Sequence, residues 1–148
     1  MAFRYLLDTN LLVYPHDGAE PEKSARCSDI LRRLRGAGTG VLSAQVLSEL
    51  AAVLLQKLRP AAAPEDVRVQ MERLIGTFPV LPVTPFVVLE AVRGVRDHGF
   101  SYYDAQIWAA AHLAQVPFVL SEDFQDGAVH EGVTFVNPLA TDFDVGSL

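Results

Sequence analysis

Short apolar runs alternate along this chain with longer stretches in which apolar residues recur every three or four positions. The runs lie at residues 3–7, 40–42, 80–83, 117–120 and 133–136. Each is bounded by turn-forming residues and is too short for a helix, so each is read as a strand. The stretches between them, 22–34, 44–58, 64–78, 85–96 and 102–114, carry helical spacing. Pro64 and Pro85 suit the first turn of two of these helices, and Ser101 is placed to cap a third. The alternation of strand and helix predicts an α/β domain around a mostly parallel five-stranded sheet, because parallel strands need crossover connections. The Ala/Pro stretch 60–64 reads as a helix-to-helix connector and 141–148 as a polar, flexible tail. No repeat or long linker divides residues 1–148, so a single domain is expected.

Composition narrows the class of molecule. A chain of 148 residues is long enough to bury about 68–70% of its unfolded surface without staples. Cys27 is the sole cysteine, which excludes an internal disulfide or a cysteine-rich zinc site and points to a reducing cytoplasm. The start, Met1-Ala2-Phe3-Arg4, shows no export signal. The longest apolar run, 50–55, is far below the roughly 20 residues that span a bilayer, so no membrane association is expected. Twelve Lys and Arg against 18 Asp and Glu leave a net charge of −6, so bulk electrostatics do not attract a polyanion. Arg32, Arg33 and Arg35, and Arg93 with Arg96, form local basic clusters that read as solvated helix faces.

Against this background four carboxylates stand out by position. Asp8 follows the first strand in Leu7-Asp8-Thr9-Asn10, at the carboxyl end where open α/β sheets bind ligands; an Asx turn or helix cap is the structural alternative. Glu49 lies in a helix that is apolar on nearly every face, where an ionised carboxylate has to be paired, neutralised or bound to a metal. Asp104 fits both a capping pattern, Ser101-Tyr102-Tyr103-Asp104, and an inward stripe with Ile107, Trp108 and Ala111. Asp123 follows the fourth strand in Ser121-Glu122-Asp123-Phe124, with Glu122 and Asp126 as nearby competitors. Four carboxylates at one sheet edge repel each other unless a cation sits among them. Oxygen ligands favour magnesium or manganese, and such an ion suits hydrolysis of a phosphodiester.

Other motifs carry less. Gly36-Ala37-Gly38-Thr39-Gly40 precedes a strand and lacks the lysine of a nucleotide-binding loop, so it reads as a turn. His16, His98, His112 and His130 show no paired zinc spacing, and Cys27 lies in no nucleophile motif, so all five read as structural.

The stretches Leu7-Asp8-Thr9-Asn10, Ser48-Glu49-Leu50, Ser101-Tyr102-Tyr103-Asp104-Ala105 and Leu120-Ser121-Glu122-Asp123, in this order and spacing, resemble the PIN-domain nucleases, and in particular the VapC-type toxins of bacterial toxin–antitoxin pairs. The resemblance spans the chain from first strand to last. It implies a sheet in the order 3-2-1-4-5, with Asp8, Glu49, Asp104 and Asp123 as catalytic, metal-binding acids supported by Asn10 and Ser121. It further implies magnesium- or manganese-dependent cleavage of RNA, a small cognate antitoxin and a homodimer. Many relatives carry another Asp two residues after the last acid; here Gln125 stands there and Asp126 follows, which leaves the role of Asp126 open. Two other functions fit parts of the pattern. An aspartate-based phosphatase also places an Asp after its first strand, but Asn10 stands where its second Asp belongs. A catalytically silent RNA- or protein-binding module has no need of four mutually repelling acids.

Overall fold

The computed structural model describes residues 3–148, so Met1 and Ala2, which entered the reading of the N-terminus, lie outside the described residues. The strands β1 (Tyr5–Leu7), β2 (Gly40–Ser43), β3 (Val80–Leu81), β4 (Phe118–Leu120), β5 (Val129–His130) and β6 (Val133–Val136) form one sheet in the order β3-β2-β1-β4-β6-β5. Every pairing is parallel except that of β5 with β6. The expected order 3-2-1-4-5 holds when β6 is taken as the fifth expected strand, but the sheet has six strands rather than five. The addition is the outer arm of a hairpin, turned by Glu131 and Gly132 at φ 51° and 83°. Two consecutive positive φ values are what a tight two-residue hairpin needs.

The helices are α1 (Thr9–Val13), α2 (Pro21–Ala37), α3 (Ala44–Ala52), α4 (Pro64–Thr77), α5 (Pro85–His98) and α6 (Tyr102–Leu113). Five match the stretches with helical spacing, with ends shifted by a few residues. α1 was not anticipated, since five residues are too few to display a 3.6-residue period. The expected single helix over 44–58 divides after Ala52 into a π-helical turn, Val53–Lys57, closed by the Leu58 N–H donating to the Val53 carbonyl at 3.0 Å. Gly38 ends α2 in the left-handed conformation at φ 68°, its N–H bonded to the Leu34 carbonyl, so the glycine-rich stretch is indeed a turn.

Side chains alternate across the strands and divide the core into two layers. Leu6, Val41, Val119 and Phe135 face α5 and α6, while Leu7, Leu42 and Leu120 face α1 to α4. In place of one inward stripe, α6 is buried without interruption from Ala105 to Ala111, and its alanines let α5 approach closely. The segment 141–148, read as a tail, lies against the domain. Arg26 donates to the carbonyls of Pro138, Ala140 and Phe143 at 2.7, 3.1 and 2.7 Å, and Val145 and Leu148 pack on the second core layer. Among the described residues no helix is long and apolar enough to cross a membrane.

The α5–α6 contact is tightest at Gly94, where an added Cβ would stand 2.9 Å from Trp108 Cε3. The indole is fully buried and its Nε1 donates to the His130 carbonyl at 3.1 Å, so it has little room to move. Gly94→Ala should therefore lower the melting temperature, an overpacking cost of about 1–3 kcal/mol outweighing a helix-propensity gain of about 1 kcal/mol. Gly36→Ala, with open space around its Cβ, should raise it. Thermal melts of both variants check the pair, and a gain for Gly94→Ala would show slack between the helices.

Candidate active site

The site is assembled at the carboxyl ends of β1 and β4, where the chain order reverses direction across the sheet. Leu7 pairs with Leu120, and the ladder continues as the Asp8 N–H donates to the Leu120 carbonyl at 3.0 Å. The residues that follow, Asp8 and Ser121, are thereby placed side by side, and Ser121 Oγ donates to Asp8 Oδ2 at 2.7 Å. Asp8 Oδ1 accepts from the Thr9 N–H at 2.7 Å, so Asp8 also caps α1. The cap alternative and the site position are both realised in one side chain.

α1 then delivers Thr9 and Asn10 in opposite directions. Asn10 Nδ2 donates to Asp123 Oδ2 at 3.0 Å and approaches Ser121 Oγ at 3.3 Å. Thr9 Oγ1 donates to Glu49 Oε2 at 2.7 Å, and Gln45, one turn earlier in α3, donates to Glu49 Oε1 at 2.8 Å. The same Gln45 amide donates to the Tyr103 carbonyl at 3.0 Å, while its oxygen accepts from Gln106 Nε2 at 2.9 Å and Gln106 in turn accepts from Tyr102 OH at 3.0 Å. This amide chain ties the start of α6 to α3. Ser101 makes no side-chain cap on α6, and Asp104 forms no hydrogen bond with it, so the capping reading of Asp104 fails. Asp104 instead lines, with Asp123, a cleft of about 350 Å³.

Of the sequence-derived candidates, Asp8, Asn10, Ser121 and Asp123 meet directly, and Glu49 joins through Thr9. Glu122 and Asp126 are engaged elsewhere. Glu122 accepts from Tyr14 OH and pairs with Lys23 at 3.2 Å, and Asp126 Oδ1 accepts from the Asn137 N–H at 2.9 Å. Thr9, Gln45, Tyr102 and Gln106 were not named as site residues in the sequence. The signal lay in the i, i+4 pairs Gln45/Glu49 and Tyr102/Gln106. Three of the histidines take structural places. His98 and His130 stand Nδ1 to Nδ1 at 3.3 Å beside Phe100 and Trp108, His98 pairs with Glu131 at 2.6 Å, and His112 stacks on Trp108. Cys27 is wholly buried, and burial pushes its thiol up to about 12.

Electrostatically the site is one-sided. Among the described residues, none of Asp8, Glu49, Asp104 and Asp123 has a Lys, Arg or His partner. Asp8 is 4% exposed, and burial pushes its carboxyl from 3.8 up to about 6, against the lowering effect of the Ser121 and Thr9 hydrogen bonds. The nearby charges of Asp123 and Glu49 add to the rise. Asn10 Oδ1 is buried without a partner, and turning the amide over would set that oxygen against Asp123. The donor set therefore suits a hard divalent cation in kind: carboxylate oxygens, one unpartnered amide oxygen and no competing base. Among the described residues no three His, Cys, Asp or Glu side chains converge closely enough to grip an ion. Glu49 and Asp123 are instead turned to the donors named above.

A family model described as PIN domain matches residues 5–125. Solved structures share the fold at low identity. A toxin–antitoxin complex from Klebsiella pneumoniae is 17% identical at TM-score 0.64, covering 90% of this chain and 97% of that one. DNA-bound VapBC from Salmonella typhimurium is 19% identical at TM-score 0.64, covering 90% and 96%. A sarcin–ricin-loop-cleaving toxin from Mycobacterium tuberculosis is 19% identical at TM-score 0.59, covering 78% and 86%. No curated protein matches the sequence.

The buried charge has a signature in stability. Between about pH 4 and 6 the native state holds a proton on Asp8 that the unfolded chain has released, so stability falls as pH rises through that window. In chelator, Asp8→Asn should gain on the parent by on the order of 2–3 kcal/mol from pH 4 to pH 7. Denaturant melts across this range check it, and a pH-independent difference would mean that Asp8 titrates like an exposed carboxylate.

Proposed function

This chain belongs to the PIN-domain family, and we propose that it is a magnesium- or manganese-dependent endoribonuclease, the toxin of a toxin–antitoxin pair. The observation that carries the reading is the buried Asp8 carboxylate, held by Ser121 and Thr9 beside Asp123 and Glu49, with no cationic side chain to balance them. Asp8, Glu49, Asp104 and Asp123 would hold the ion, with Glu49 and Asp123 turned towards it from their present donors. When bound, such an ion lowers the pKa of a water and neutralises charge on a phosphodiester.

The chain's own residues supply orientation. Ser121 and the Thr9 N–H fix both oxygens of Asp8, leaving each a free lone pair. Asn10 restrains Asp123, and Thr9 with Gln45 restrains Glu49, so the site is held in place by groups that are themselves anchored on strand ends and helices. Asn10 also weighs against a phosphatase, because an amide engaged as a donor to Asp123 cannot serve as a general acid or base. The structural neighbours described as toxins or toxin–antitoxin complexes support the biological assignment, and their complexes support a small protein partner for this chain. Self-association is supported by a row on α5, Phe86, Leu89 and Val92 at 74, 68 and 56% exposed, which leaves apolar surface to cover.

Purified protein should cleave RNA with magnesium or manganese and not in excess chelator. Asp8→Asn and Asp104→Asn should each lose activity by roughly 100-fold or more, since losing a residue that merely hydrogen-bonds a metal ligand already costs about 10- to 100-fold and these would be the ligands themselves. Expression should arrest growth, and co-expression of the small protein encoded beside it should relieve the arrest. Undiminished cleavage by both variants would overturn the assignment of the acids. Light scattering should give the mass of a dimer, and Leu89→Arg should shift it towards the monomer.

A further inference from the structure

A cleft of about 600 Å³ beside Glu49 is lined by residues of α1, α3, the π-helical turn and α6, together with Val83. Its inner wall is internally satisfied: Thr9, Gln45 and Gln106 spend their polar groups on Glu49, on the Tyr103 carbonyl and on one another. Three lining side chains keep free capacity. Ser48 Oγ, Tyr103 OH and Lys57 Nζ make no hydrogen bond or ion pair with any described residue, and the Tyr103 ring is 66% exposed. Small side chains, Ala44, Ala52 and Val53, leave an apolar floor between them.

The π-helical turn decides which residue reaches this cleft. Gln45, Ser48, Glu49 and Ala52 form one stripe of α3, and at 3.6 residues per turn Gln56 continues it. The extra residue in the π turn rotates the following positions back by about one residue, so Lys57 lines the cleft in its place. Lys57 stands eight residues beyond Glu49, about 12 Å along a helix axis. The cleft thus brings together one acid, Glu49, an apolar floor, an exposed aromatic ring and an unpaired cation. A peptide offering arginine to Glu49 would need a separate acidic group for Lys57 and an apolar group for the floor. A nucleotide matches the whole length: a base has a flat apolar face for the floor and for Tyr103, polar edges for Ser48, and a backbone phosphate for Lys57.

We propose that this cleft is a nucleotide subsite for single-stranded RNA, in which an unpaired base next to the cleaved bond stacks on Tyr103, its edge meets Ser48 and a neighbouring phosphate pairs with Lys57. The proposal rests on the nuclease reading and adds to it the source of base preference. Tyr103 and Lys57 are recognition residues and take no part in the bond-breaking step.

The test uses the full chain in two assays: affinity for a fluorescein-labelled eight-nucleotide single-stranded RNA of mixed sequence in chelator, and sequencing of cut sites in randomised RNA with magnesium. Tyr103→Ala should weaken oligonucleotide binding about tenfold and flatten the base preference at one position beside the cut, while Tyr103→Phe restores both. Lys57→Met, at an exposed position, should weaken binding and lower its salt dependence by about one phosphate contact; this variant keeps the test sound if Tyr103→Ala folds poorly. Wild-type affinity and wild-type base preference in Tyr103→Ala and Lys57→Met would overturn the subsite and leave the nuclease standing. Variants that lose only inhibition by a protein partner would overturn it too, assigning the cleft to that partner. A wild-type protein that neither binds nor cuts RNA would overturn the subsite together with the reading beneath it.

Discussion

The hydrogen bond from Ser121 to Asp8 depends on a register. Parallel pairing of β1 with β4 sets Leu7 opposite Leu120, and the next residue of each strand leaves the sheet at the same height. A slip of one residue would exchange the two faces of the sheet, turning Leu6 and Leu7 into each other's layers. The apolar alternation that builds the two cores therefore also fixes where Asp8 lies. Packing energy, distributed over Leu6, Leu7, Val119 and Leu120, holds a buried carboxylate in a place it would not choose alone.

The other acids are tied to this point by polar chains of differing stiffness. Asp123 is held through Asn10, on the short helix that Asp8 itself caps. Glu49 is held through Thr9 on the same helix and through Gln45 on its own. Asp104 has no such tether. Its position is set by the backbone of α6, whose first turn is fastened to α3 by Gln45 and which is buried from Ala105 to Ala111. The site thus combines acids fixed by hydrogen bonds with one fixed by helix packing, and the helix carrying Asp104 presents its neighbour Tyr103 to the cleft beside Glu49.

Much of this was legible in the sequence, because the strands are short apolar runs and the long helices keep their period. Glu49 was legible because a carboxylate inside an apolar helix conflicts with local rules and so marks itself, and Asp8 and Asp123 because they follow strands at the sheet edge where ligands bind. What escaped notice was short or irregular. α1 has five residues, β5 has two and follows from a Glu-Gly turn that lacks the usual Asn-Gly or Asp-Gly signal. The π turn shifts Lys57 onto a stripe that regular periodicity assigns to Gln56. Thr9, Gln45 and Gln106 are neutral polar residues whose importance comes from partners far away in sequence, and no local pattern announces such partners.

The net charge of −6 then acquires a physical meaning. Arginines at 32, 33, 68, 93 and 96 are paired with carboxylates on their own helices or on a neighbouring turn, and Arg26 is spent on backbone carbonyls. They neutralise part of the protein's own acids, while Arg4, Arg35, Arg59 and Arg73 make no ion pair with any described residue. On the proposed reading, affinity for RNA would come from local sources: the cation the acids would hold, the faces of aromatic rings and the unpaired Lys57 beside them. An acidic protein that binds RNA in this manner gains little from non-specific attraction, so its choice of substrate falls to the contacts beside the acids.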